Sequence, residues 1–173
     1  GAQVSYADRA GFGRTELDVP SALLTEQVAD QVGLLTEIAR AEGTDVRYLK
    51  PHGALYHRVA RDPEQAAAVL AGSGSLPVLG LPGSVILDLA VQAGRDTWRE
   101  GFPDRGYTSS GGLVPRGEPG ALVADQTQIA ANAVRLAETV DSVCVHGDSP
   151  GAVDAAMAVR AALERAGYPL RGL

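Results

Sequence analysis

Apolar residues recur at helical spacing along residues 21–42. Leu23, Leu24, Val28, Val32, Leu35 and Ile38 alternate there with Glu26, Asp30 and Arg40. The spacing predicts an amphipathic helix, and Gly43 supplies its stop. Val46 to Leu49 reads as a short strand that runs into Pro51, which ends regular pairing. Asp62-Pro63 opens a second helix over 63–71, with proline at its first position. Pro77 to Leu81 is a continuous apolar run, the pattern of a strand buried on both faces. A helix over 84–93 and a strand over 97–102 follow. Residues 103–120 are rich in Gly and Pro and predict a long irregular loop. Beyond it come a helix over 125–138, an apolar strand over 142–145 and an Ala-rich helix over 150–166. Strand and helix thus alternate, which predicts an α/β fold with a mostly parallel sheet. An open doubly wound sheet and a closed β/α barrel both fit, and both place ligands at the carboxyl ends of strands.

Composition narrows the function classes. The 173 residues predict a single domain over 1–173, and 45% hydrophobic residues suffice for a packed core. Net charge is -6 and the 15 Lys and Arg form no run, which argues against a nucleic acid or an anionic membrane as partner. A lone cysteine, Cys144, excludes an internal disulfide and a cysteine-built zinc site; it lies in a strand and is expected in the core. No stretch reaches the roughly 18 apolar residues of a membrane span. The chain opens without Met and shows no leader pattern. These features together predict a soluble cytoplasmic enzyme domain.

The candidate chemistry sits where strands are expected to end. Lys50, His52 and Tyr56 crowd into one strand-end turn, and Gly53 allows close backbone approach to a ligand. Lys50 and His52 can polarise a carbonyl or hold an anion there; a plain surface turn with His52 bonded to backbone is the alternative. His146-Gly147-Asp148 follows the strand over 142–145. His146 and Asp148 can act as a base with its orienter or as two metal ligands, while Asp148 can equally cap the helix near Pro150. In the long loop, Asp104-Arg105 and Arg116 stand out. Either arginine can clamp a carboxylate or phosphate, or sit solvated beside Glu100 or Glu118. His57, beside Arg58, is expected to face solvent. Gly11-Phe12-Gly13 fails as a dinucleotide loop, since the third glycine and a preceding strand are absent. Neither a phosphate-binding Gly-x-x-x-x-Gly-Lys loop nor a Gly-x-Ser-x-Gly elbow occurs. The inventory suits hydrolysis or group transfer at a polarised carbonyl.

Five segments, in order, resemble the LamB/YcsF family, the A-type chains of bacterial 5-oxoprolinase: YADRAGFGR from Tyr6, YLKPHGALY from Tyr48, LGLPGS from Leu79, EGFPDRGYTSSGGLVPR from Glu100 and VCVHGDSP from Val143. The resemblance implies a seven-stranded β/α barrel of the glycoside hydrolase/deacetylase type. It also implies ATP-dependent opening of the lactam 5-oxoproline to glutamate, together with partner subunits B and C. Lys50, His52, His146 and Asp148 are then the expected catalytic residues. Asp8, Arg14, Tyr56, Arg105 and Arg116 are the expected substrate contacts. ATP is expected on one of the partners, and a divalent metal and a homo-oligomer stay open. The family's opening Asp-Leu-Asn-x-Asp-x-Gly-Glu and Gly-Phe-His-Ala-Gly-Asp segments have no counterpart here. Neither has its longer insert before the VCVHGD strand, so N-terminal strands and internal segments are expected to lie outside this sequence. Gln3 stands where many members carry a His, and that ligand does not carry over. Two other readings of the same residues are a metal-dependent deacetylase or carbohydrate hydrolase, and a non-catalytic chain that only binds partners.

Overall fold

Pro20 cannot continue a helix backward, and the helix that follows it, α1, spans Ser21–Ala41. Leu24 and Val28 are buried on its inner face, with Val32 and Leu35 packed beside them. Leu23 and Ile38, expected on that face, are exposed, so the buried stripe is narrower than the apolar pattern. The computed structural model describes residues 1–172, which fall into two compact units, Gly1–Trp98 and Arg99–Gly172. Among these residues no helix is long and apolar enough to cross a membrane.

The first unit is built on single-residue parallel bridges. Ala2 bridges Leu49, and Leu49 bridges Val78 in the strand β1, Val78–Gly80. Lys50 N–H donates to the Ala2 carbonyl at 2.8 Å, and Leu79 N–H to the Leu49 carbonyl at 2.9 Å. The strand expected over 46–49 therefore contracts to Leu49. Pro51 has no N–H to donate toward β1, while on the other side His52 N–H donates to the Val4 carbonyl at 2.8 Å. The turn after it is not the end of structure: a short helix, α2, spans Gly53–Arg58 and buries Leu55 and Tyr56. Helix α3, Pro63–Gly72, starts as predicted, with the Asp62 carboxylate accepting from Glu64 and Gln65 N–H. Helix α4, Val85–Gln92, buries Ile86, Leu87 and Ala90. The core of this unit gathers Tyr6, Leu24, Leu49, Leu55, Val69, Val78 and Ile86, all essentially inaccessible.

Strand β2, Thr97–Gly101, starts in the first unit and ends in the second. In the second it pairs in parallel with β3, Ser142–Val143, in the register Glu100↔Ser142 and Gly101↔Val143. Helices α5, Gln126–Leu136, and α6, Ala152–Arg165, bury Ile129, Ala133, Ala155, Val159 and Leu163 in one cluster. Small side chains at Ala133 and Ala155 leave room for that packing. The loop after β2 is partly organised by antiparallel bridges Arg105↔Leu122 and Tyr107↔Leu113. Helix α6 is preceded by Gly151 in the left-handed conformation with no side-chain cap, so Asp148 is not the cap that the sequence allowed.

Gly53 has φ +62°, and a Cβ there would lie 2.2 Å from the Gly13 carbonyl oxygen. Gly53→Ala is expected to cost more than about 1 kcal/mol, from the positive φ and the clash together. Thermal unfolding should show a melting point lower by several degrees; an unchanged melting point would contradict this close approach.

Candidate active site

Two groups of polar side chains occupy strand ends, one in each unit. In the first, the segment 8–15 folds onto the start of α2. The Asp8 carboxylate accepts from Gly11 N–H at 2.8 Å and Thr15 N–H at 3.3 Å. Hydrogen bonds from the Thr15 side chain and the Gly11 amide hold its pKa below the usual carboxylate value. Ala54 N–H donates to the Gly13 carbonyl at 2.9 Å. The His52 ring donates through Nε2 to the Phe12 carbonyl at 3.1 Å and meets the Phe12 ring edge-on. A carbonyl only accepts, so this contact fixes a proton on Nε2. Phe12 itself is 67% exposed, and the exposed Arg14 lays its guanidinium 5.5 Å from the Phe12 ring centroid. Lys50 is half-buried just before Pro51, and Tyr56 is buried on α2. His57, expected in solvent, is half-buried with its ring edge-on to Tyr56.

The second unit brings His146 against Asp104. The Asp104 carboxylate accepts the His146 backbone N–H at 2.9 Å and faces the ring Nδ1 at 3.0 and 3.1 Å. Register explains the meeting. Three residues beyond the pair Gly101↔Val143, parallel extension puts Asp104 opposite His146. Asp104 is 7% exposed. Burial works to raise its pKa, but the hydrogen bonds from the His146 side chain and backbone prevail and lower it. The Phe102 ring stacks on the imidazole, with centroids 5.4 Å apart and planes 24° from parallel.

The two loop arginines differ in kind. Arg105 is buried, donating from Nε to the Ala121 carbonyl at 2.9 Å and from Nη2 to the Val114 carbonyl at 2.7 Å. Burial and the nearby Arg116 lower its pKa, though a guanidinium keeps its proton. Its fork holds the loop closed. Arg116 is partly exposed and lies 3.6 Å from the exposed Asp148 carboxylate. Cys144, expected in the core, is half-buried and donates its N–H to the Gly101 carbonyl at 2.8 Å. Asp104 is the residue to which the sequence assigned no role. The signal lay in the register, which composition and motif do not carry. Among the described residues no three His, Cys, Asp or Glu side chains gather to hold a metal.

The α/β fold sets an acid–histidine pair at the carboxyl ends of adjacent parallel strands, an arrangement able to carry acid–base chemistry. The sequence profile of the LamB/YcsF family matches residues 1–173, and the chain belongs to that family. It is similar to the 5-oxoprolinase A subunit of Streptomyces griseus, 50% identical over 189 residues, spanning 99% of this chain and 76% of the relative. The 5-oxoprolinase A subunit of Mycobacterium avium is 48% identical, with 99% of this chain and 75% of the relative covered. The crystal structure of the lactam utilization protein from Thermus thermophilus superposes with a TM-score of 0.90 at 35% identity, covering 100% of this chain and 76% of that one.

Because the Asp104 carboxyl titrates lower folded than unfolded, its stabilising contribution is complete above the unfolded value of about 4. The contribution is lost as pH falls through the lowered folded value. Asp104→Asn is therefore expected to flatten the acid side of the stability–pH curve, measured by denaturant unfolding at successive pH values. An acid limb as steep as the wild type would contradict the assignment.

Proposed function

We propose that this chain acts on 5-oxo-L-proline as the A subunit of an ATP-hydrolysing 5-oxoprolinase, opening the lactam to L-glutamate. The similarity to relatives bearing that name supports the reading. The observation in the structure that carries it is a strand-end histidine, His146, backed by a buried carboxylate. A lactam resists water because its nitrogen lone pair delocalises into the carbonyl. ATP bound on a partner chain supplies a phosphoryl group for the amide oxygen, which makes the carbonyl carbon electrophilic. His146 then takes a proton from the attacking water through Nε2. The C–N bond breaks as the protonated His146 returns that proton to the departing nitrogen, which leaves as the amine, and a second water hydrolyses the acyl phosphate to glutamate and phosphate.

Of the two arginines, Arg116 suits the substrate carboxylate. Its partner Asp148 is exposed, and an exposed ion pair is worth only about 0–1 kcal/mol, so exchange for a second carboxylate costs little. Arg105 is assigned to holding the loop. Asp148 is a second candidate base, and Asp8, Arg14 and Tyr56 are candidate substrate contacts. Lys50 and His52 are candidates for polarising a carbonyl. The finer architecture in this reading is a seven-stranded β/α barrel of the glycoside hydrolase/deacetylase type; parallel pairing at β2–β3 and at the Ala2, Leu49 and Val78 bridges supports it. The partners are subunits B and C, and the setting is the cytoplasm.

The test is phosphate release from ATP by the chain mixed with its B and C subunits, with and without 5-oxoproline. Turnover is expected to need both the chain and the lactam. His146→Ala, folded as judged by its melting curve, should lose about 10²–10⁴-fold in kcat. ATP turnover that ignores the chain would overturn the reading, and full activity in His146→Ala would remove that residue's role. Arg116→Ala should raise KM for 5-oxoproline about tenfold or more, the loss of roughly 1.4 kcal/mol of carboxylate binding. A KM equal to that of the wild type would exclude the contact.

A further inference from the structure

We propose that Asp104 is a positioning residue that sets the reactive tautomer of His146, leaving Nε2 as the free base. The inference rests on the reading of His146 as the base that activates water. A carboxylate only accepts hydrogen bonds, and Asp104 Oδ2 already takes the His146 backbone N–H at 2.9 Å. The ring nitrogen facing the same carboxylate, Nδ1 at 3.0 Å, must therefore carry a proton. In the neutral imidazole the lone pair then lies on Nε2, the nitrogen directed away from Asp104. The Phe102 ring, stacked on one face of the imidazole, opposes rotation about the Cβ–Cγ bond.

Asp104 is itself held from several sides. Val123 N–H donates to its carbonyl at 3.0 Å, and Asn132 Nδ2 on α5 donates to the carbonyl of the preceding Pro103, also at 3.0 Å. One residue earlier, Phe102 N–H donates to the Tyr107 hydroxyl at 2.7 Å. The chain from Phe102 to Asp104 is thus fixed by α5 and by the loop after β2, and the carboxylate keeps its aim before any ligand arrives. That is the arrangement a preorganised base requires.

Asp104→Asn separates the tautomer from the fold. The asparagine has one side-chain acceptor, and the backbone N–H of His146 claims it. Its NH₂ then faces Nδ1 as a donor. The ring must answer with a lone pair on Nδ1 and a proton on Nε2, the form that cannot take a proton from water. The experiment uses the full chain with nitrogen-15 histidine. It has three histidines, so the spectrum of His146→Ala identifies the resonance. Spectra are taken above the titration midpoint read in the same series. The wild type is expected to show His146 protonated on Nδ1, and Asp104→Asn to show it protonated on Nε2. In the complex with subunits B and C, Asp104→Asn should lose about 10²–10⁴-fold in kcat with KM for 5-oxoproline unchanged. A neutral wild-type ring protonated on Nε2, or a folded Asp104→Asn with wild-type kcat, would overturn the proposal. If the complex shows no lactam-dependent turnover, the 5-oxoprolinase reading fails, and the ring spectra alone still decide the tautomer.

Discussion

Backbone pairing between short parallel strands is the constraint on which the chemistry here depends. Parallel neighbours run in the same direction, so residues equally far past a paired position emerge together at the same end. In the second unit this takes Gly101↔Val143 to Asp104 and His146 without help from any motif. In the first, the Ala2–Leu49–Val78 bridges set the position of Lys50, whose N–H donates to the Ala2 carbonyl. The strands are too short to bury much surface themselves. The helices against them supply the apolar cover, Leu24, Val28 and Val69 in one unit and Ile129, Ala133 and Val159 in the other.

Much of the fold was legible because helical periodicity survives in a single sequence. The helix over 63–71 became Pro63–Gly72 with its Asp62 cap, and the apolar run before Leu81 became the fully buried β1. What was not legible has physical causes. Helix α2 spans only Gly53–Arg58, too short for a period to register, and it opens on a glycine that reads as a turn. The strand over 46–49 has a strand-like composition, yet its bridges to Ala2 and Val78 are both made at Leu49. At the site, His146 could be picked from its place after an apolar run. Its pairing with Asp104 could not, because the two lie 42 residues apart and only the register joins them. Asp148 had the composition of a helix cap, but Gly151 occupies that place and Asp148 lies beside Arg116 instead.

The long loop shows how one residue type divides its labour by burial. Arg105 turns inward and donates to the Ala121 and Val114 carbonyls, the first of which also accepts the Gly106 N–H at 3.0 Å. Arg116, eleven residues on, stays at the surface beside a carboxylate. Sequence offers no means to tell these arginines apart, since both lie among Gly and Pro. The structure separates a buried guanidinium that holds the loop from a partly exposed one paired with Asp148.

The segment 8–15 has a consequence in hydrogen-exchange terms. Its closure onto α2 depends on Ala54 N–H bonding the Gly13 carbonyl and on the His52 ring bonding the Phe12 carbonyl. Against these stands Phe12, a bulky residue held at φ +56°, where side chains are strained by about 1–3 kcal/mol. Opening relieves that strain, so the segment detaches at less cost than its contacts suggest. Solvent deuterium reaches the Ala54 amide only when the segment lifts, while amides of the buried ladder wait for deeper unfolding. That single amide therefore serves as a clock for the segment's opening, running in the resting protein and readable before any substrate is added.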